Sequence, residues 1–126
     1  MTMNLSDYLS YLVKSDGQWV AFMPDEEEFS SRQIGDVVHG IPDLVCFTKD
    51  GYALFRNQDG EGLGLPSNPE ATALWREASG GWLGGIFGRA FLAHPRHIPA
   101  AWKTQYDYYA RLKNLRLLAS DLKLSA

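Results

Sequence analysis

The chain of 126 residues is long enough for one domain and too short for two independent cores. With 45% apolar and 21% charged residues it has a globular composition, and no apolar run reaches the ~18 residues of a membrane span. Its single cysteine, Cys46, excludes an intramolecular disulfide, and residues 1–14 lack the basic head of a secretory signal. We therefore expect a single-domain cytoplasmic protein.

Charge is distributed unevenly along the sequence. Residues 1–60 contain ten acidic and four basic residues, whereas residues 61–126 contain five acidic and eight basic ones. Such an asymmetry either orients a charged partner or makes the two halves attract each other within one domain.

The first part of the chain is predicted to form a helix, a strand and a second helix. Residues 5–13 place apolar side chains three and four positions apart, as on one helix face, and Gly17 can close that helix. Residues 18–23 favour a strand. Ser30 or Ser31 can then cap a second helix.

The middle of the chain has the clearest β pattern. Residues 44–48 are apolar and partly β-branched, and a Lys-Asp-Gly turn joins them to a second predicted strand over residues 52–56, which predicts a hairpin. A third, glycine-weakened strand is expected after Gly60.

The remaining elements are predicted to be two helices with a strand between them. Asn68 is placed as the N-cap of a helix over residues 69–78, and residues 89–93 favour a strand. A long helix over residues 99–122 follows, apolar over much of its circumference. This order predicts an α+β fold, a small and mainly antiparallel sheet flanked by helices, with a long C-terminal helix.

Asparagine and glycine are concentrated in the segment that follows the hairpin. Residues 57–68 have the pattern N-x-x-G-x-x-x-G-L-P-x-N, and residues 87–92 combine glycine with aliphatic side chains. Over about residues 37–93 the chain resembles a family of small phage- and plasmid-encoded proteins of unknown function that carry this turn motif. The resemblance implies an accessory protein of a mobile element and provides no catalytic residues.

Four residues around this motif are candidates for binding a small anionic or nucleotide-like ligand. Turns and helix N-termini present polar groups outward, so Asn57, Asn68, Trp82 and Arg89 could frame a pocket. The alternative is structural, because asparagine is also the residue that turns and caps require. Trp82 lies in a glycine-rich stretch that lacks the lysine and hydroxyl residue of a P-loop.

The sequence shows no catalytic or cofactor signature. His94 and His97 are separated by a proline and form no regular metal-binding face, so neither a metal nor a cofactor is predicted. Cys46 lies within a predicted apolar strand and is expected to be buried and unreactive. These features favour a binding protein over an enzyme.

Two surfaces are candidates for contacts with a partner protein. The first is an acidic loop, Asp25, Glu26, Glu27 and Glu28. The second is the apolar side of the helix predicted over residues 99–122, represented by Tyr108, Leu115 and Leu118. Because a helix that is apolar on several sides is usually covered from more than one side, this second surface permits a homodimer.

The predicted function is therefore a non-catalytic binding or inhibitory accessory protein whose partner is a host protein or a second copy of the chain. A small-molecule binding protein or minimal enzyme is the alternative. The basic, aromatic C-terminal segment permits nucleic-acid binding, but an isoelectric point of about 5.5 argues against it.

Overall fold

The computed structural model of the protein describes residues 9–79, 84–102 and 104. Within these residues the chain is α+β. The strands are β1 (Tyr11–Val13), β2 (Trp19–Ala21), β3 (Pro42–Phe47), β4 (Ala53–Asn57) and β5 (Ala90–Ala93). The helices are α1 (Ser31–Val38) and α2 (Pro69–Ser79), and a 3-10 turn spans Pro95–His97.

The strands form one five-stranded sheet in the order β2-β1-β5-β4-β3. Every pair of neighbours is antiparallel, as the sequence predicts. Strand β5 lies at the centre and pairs Phe91 with Leu12 on one side and with Phe55 on the other. The sheet therefore joins the first and last described strands.

The sheet is packed on both faces. Because successive side chains of a strand point to opposite faces, Phe55 and Phe91 lie in one buried cluster, whereas their neighbours Leu54 and Leu92 lie in the other. Helix α1 contributes Ile34, Val37 and Val38 to the first cluster. Helix α2 contributes Ala71 to the second.

The helix predicted over residues 5–13 is wrong for the described residues 9–13, the last three of which form strand β1. Gly17, with φ of 90°, belongs to the turn of a β1–β2 hairpin, where its N–H donates to the Lys14 carbonyl at 3.0 Å. The strand is buried on both faces, with Leu12 in one cluster and Val13 in the other, so its continuous apolar run imitates a helix pattern. Residues 1–8 lie outside the described residues.

The third strand predicted after Gly60 is also wrong. Residues 58–64 form successive turns, closed by backbone hydrogen bonds such as Leu63 N–H to the Asp59 carbonyl at 2.9 Å. A single bridge between Ser67 and Phe87 is the only β-pairing of residues 58–68. The predicted long C-terminal helix lies beyond what the structure describes, apart from its first residues.

The remaining predicted elements are confirmed. Helix α1 begins at a capping box, in which Gln33 N–H donates to the Ser30 hydroxyl at 3.1 Å. The β3–β4 hairpin pairs Phe47 with Ala53 and contains a register shift between Leu44 and Cys46. Helix α2 begins with a proline at its first position, as expected.

Candidate functional site

Asn57, a predicted ligand-binding residue, is buried at the end of β4. Its side-chain N–H₂ group donates to the carbonyls of Val38 at 3.2 Å and His39 at 3.1 Å. Its side-chain oxygen accepts the N–H of Asp59 at 2.9 Å. The amide therefore fastens the C-terminal end of α1 to the turn after β4.

Asn68, the second predicted ligand-binding asparagine, is completely buried. Its side-chain N–H₂ group donates to the carbonyls of Val13 and Gly88, both at 2.9 Å, while its oxygen accepts the N–H of Ala71 at 3.1 Å. It is thus the N-cap of α2 and also a tie between β1 and the start of β5. Both asparagines have structural roles, and their binding of a ligand stays a prediction.

Arg89, the third predicted ligand-binding residue, contacts a histidine that the sequence analysis left unassigned. Its Nη1 lies 2.6 Å from Nε2 of His39, the residue that ends α1 in the left-handed conformation with φ of 61°. No periodic pattern in the sequence relates residues 39 and 89. The left-handed conformation of residue 39 has one sequence signal, its position before a glycine at a helix end. Trp82 lies outside the described residues.

The four residues of the acidic loop, Asp25–Glu28, are all exposed, and Glu26, Glu27 and Glu28 border a groove beside the N-terminus of α1. This groove has a volume of about 700 Å³, and we call it the acidic groove. Its lining comprises Glu26, Glu27, Glu28, Phe29, Ser30, Ser31, Pro99, Ala101 and Trp102.

The floor of the acidic groove is anchored to the core. The Phe29 ring lies 4.7 Å from the Phe91 ring, edge to face, and the Phe29 N–H donates to the His97 carbonyl at 2.9 Å. Trp102 packs edge to face on Phe55 at 5.1 Å and stays partly exposed. These ring contacts hold Phe29 and Trp102 against the core beside the acidic loop.

A second groove of about 410 Å³ adjoins the first around the opposite side of the same loop. Asp25, Glu26, Glu28 and Asp36 line it together with one cation, Arg32. Carboxylates therefore predominate on the surface on both sides of the α1 N-terminus. The sequence predicted the acidic loop, but it did not predict that Asp36 or Trp102 would lie beside it.

The two histidines that the sequence analysis rejected as a metal site lie in the core. His94 and His97 have ring centroids 5.5 Å apart, and both are buried. Burial, and then the positive charge of His94, lower the pKa of His97. Among the described residues, no group of three or more His, Cys, Asp or Glu side chains is arranged to hold a metal ion.

Cys46 is buried, as predicted for a small apolar residue of the strand. Burial raises the pKa of its thiol to about 12, because the thiolate is poorly solvated in this environment.

Of the predicted interaction residues, Tyr108, Leu115 and Leu118 lie outside the described part of the chain. Within that part, no helix is long and apolar enough to cross a membrane. No protein-family model, curated protein or solved structure matches this chain.

Proposed function

We propose that the protein is a non-catalytic binding protein whose acidic groove holds a basic segment of a partner protein. The observation that carries the proposal is the combination of the exposed carboxylates of Glu26, Glu27 and Glu28 with the partly exposed ring of Trp102 in one groove. Inhibition of the partner follows if the segment held there is one that the partner needs for its own activity.

Charge complementarity supports a basic partner. Among the described residues that line the two grooves, one cation, Arg32, opposes the carboxylates. A cationic segment approaching this surface is attracted over about a Debye length and then pairs with carboxylates at the rim. Complementarity of this kind mainly sets the association rate and the choice of partner.

Apolar contacts would provide the affinity that rim charges do not. Trp102 is of the residue type that most often dominates interface energetics, and Phe55 holds its ring in place. Pro99 and Ala101 extend the same wall of the groove. The segment that fits such a groove alternates Lys or Arg with aliphatic side chains.

A host protein and a second copy of the chain both remain candidate partners. The binding role does not depend on an origin from a phage or plasmid, an expectation that rests on the turn motif alone. Self-association through Tyr108, Leu115 and Leu118 is a separate proposal, and a Leu115→Glu variant tests it by sedimentation velocity.

The experiment is fluorescence anisotropy with a labelled peptide of alternating arginine and leucine. We expect the protein to bind this peptide more tightly than a peptide of alternating arginine and serine, because only the first has side chains for Trp102. A Glu26→Lys/Glu27→Lys variant should bind at least about tenfold more weakly, since two rim attractions become repulsions.

The matched control is Glu61→Lys/Glu77→Lys, which changes the net charge equally at sites outside the acidic groove. Glu77 pairs with Lys49 at 3.5 Å on an exposed surface, so its loss costs little stability. Equal weakening by both double variants would show that attraction depends on net charge alone and would contradict a specific groove.

A further inference from the structure

We infer that Arg89 and His39 form a binding site for a phosphate group, separate from the acidic groove. The guanidinium lies against the imidazole, with Nη1 and Nε2 2.6 Å apart. Arg89 Nε is buried without a hydrogen-bond partner in the described part of the chain. Among the described residues, His39 is thus the one hydrogen-bond partner of the Arg89 guanidinium, which has five N–H groups.

Carboxylates do not neutralise Arg89 in the described structure. The ion pairs there are Lys49 with Glu77 and Arg56 with Asp43, and neither includes Arg89. The segments that meet His39 contain two acidic residues near it in the sequence or through Asn57: Asp36 in α1 and Asp59 in the turn after β4. Neither lies within ion-pair distance of Arg89. Within residues 9–79, 84–102 and 104, no carboxylate therefore occupies the donors of Arg89.

A purely structural role at the end of α1 does not explain Arg89. Arginine often stabilises a helix C-terminus by donating to its free carbonyls. Here the carbonyls of Val38 and His39 already accept from Asn57, and the Gly35 carbonyl accepts from Gly40. Arg89 contacts the imidazole instead, and the carbonyls of Gly35, Val38 and His39 accept hydrogen bonds without it.

The two asparagines of the turn motif hold this pair in position. Asn57 binds the carbonyl of His39 itself, and Asn68 binds the carbonyl of Gly88, the residue before Arg89. The motif thus fixes the backbone beside each member of the pair, as preorganised binding sites require. This arrangement explains why the asparagines lie near the predicted ligand site without facing a ligand themselves.

The chemistry of the pair favours phosphate. A guanidinium has no acceptor, so Nε2 of His39 accepts from Arg89 in this contact. A phosphate placed against the pair accepts from the remaining N–H groups of the guanidinium and from the ring N–H of the imidazole. The charge of the guanidinium offsets that of the phosphate, and no covalent bond changes.

The experiment is an NMR titration with inorganic phosphate at constant ionic strength, following the Arg89 Nε–H and the His39 ring resonances. We expect saturable shifts at both residues. Arg89→Gln should weaken binding at least about tenfold, because the charged partner of the phosphate is lost. His39→Asn should weaken it severalfold while keeping the left-handed backbone, which asparagine tolerates.

Arg76→Gln is the control, since Arg76 is an exposed cation in the last turn of α2. The affinity of this variant for phosphate should equal that of the unmodified protein. Arg89→Lys serves as a second variant that keeps the charge but loses the planar fork, and it should also bind more weakly. A parallel titration with adenosine monophosphate distinguishes two sources of the phosphate group. Equal affinity for both compounds indicates a site for free phosphate, whereas tighter binding of adenosine monophosphate indicates a site for a larger phosphomonoester. Absence of saturable shifts at residues 39 and 89, or equal affinity in Arg89→Gln, would overturn the inference.

Discussion

Ser10 and His97, 87 positions apart in the sequence, are joined by a buried hydrogen bond of 2.8 Å between Oγ and Nδ1. The same hydroxyl accepts the N–H of His94 at 2.8 Å, so Ser10 binds both histidines. The hydrogen bond fastens the start of β1 to the 3-10 turn after β5.

Acidification should destabilise the fold through His97. Its pKa in the folded protein lies below the ordinary value of 6.5, because burial and the charge of His94 oppose protonation. On acidification the unfolded chain therefore takes up this proton first. The contribution to the free energy of unfolding is complete above about pH 6.5 and falls as the pH drops toward the folded-state pKa.

Urea unfolding between pH 8 and pH 5 measures this effect. A His97→Asn variant should be less stable at every pH but should lose less stability on acidification than the unmodified protein. An unchanged slope in His97→Asn would assign the acid sensitivity to other groups.

Asn68 should not be replaceable by aspartate. If it were only an N-cap, aspartate would serve nearly as well. Because the amide also donates to the carbonyls of Val13 and Gly88, Asn68→Asp removes this donor from both and places a carboxylate against them. We expect a loss of at least about 2 kcal/mol by chemical denaturation.

The control for that substitution is an exchange at the other helix cap. Ser30 is exposed and caps α1 through its hydroxyl, so Ser30→Asn should change the free energy of unfolding by less than about 0.5 kcal/mol. A tolerated Asn68→Asp would show that the ties to β1 and β5 contribute nothing.

We expect Gly60 not to tolerate a side chain, whereas Gly62, two residues further along the same turns, should tolerate one. A Cβ at Gly60 would lie 2.5 Å from the Phe87 carbonyl oxygen, whereas one at Gly62 meets only the Asp59 carbonyl at 3.6 Å. Gly60→Ala should therefore cost about 1–3 kcal/mol, and Gly62→Ala almost nothing. Thermal unfolding compares the stability of the two variants. Equal melting temperatures would contradict the prediction.

Cys46 should resist thiol reagents while the protein is folded. Its side chain is 3% exposed, and burial raises the pKa of the thiol to about 12, so almost no thiolate exists at neutral pH. We expect modification by iodoacetamide only in denaturant, as measured by mass spectrometry. Rapid modification of the native protein would indicate that the β3–β4 edge opens readily.

Local signals in the sequence predicted the elements that carry distinctive end residues. Ser30 and Asn68 identified two helix starts, and the Asp50-Gly51 step identified the hairpin. Strand β1 was mistaken for a helix because a strand buried on both faces has no alternation of apolar and polar residues.

The sites were harder to predict because they depend on contacts between distant residues. The sequence selected Asn57, Asn68 and Arg89, but the contact of Arg89 with His39 spans 50 positions, and no local pattern encodes it. Similarly, the acidic loop is evident in the sequence, whereas the position of Trp102 beside it follows from packing on Phe55. Composition reveals a charged surface, but only the fold shows which apolar side chain lies next to it.

The most direct measurement of the proposed binding role is an NMR map of the arginine–leucine peptide on the protein. The account predicts saturable shifts at residues 25–33 and 99–102, which surround the acidic groove, and their loss in the Glu26→Lys/Glu27→Lys variant. Shifts centred elsewhere, for example around the exposed side chains of Ile41 and Leu63, would contradict it, as would the absence of binding.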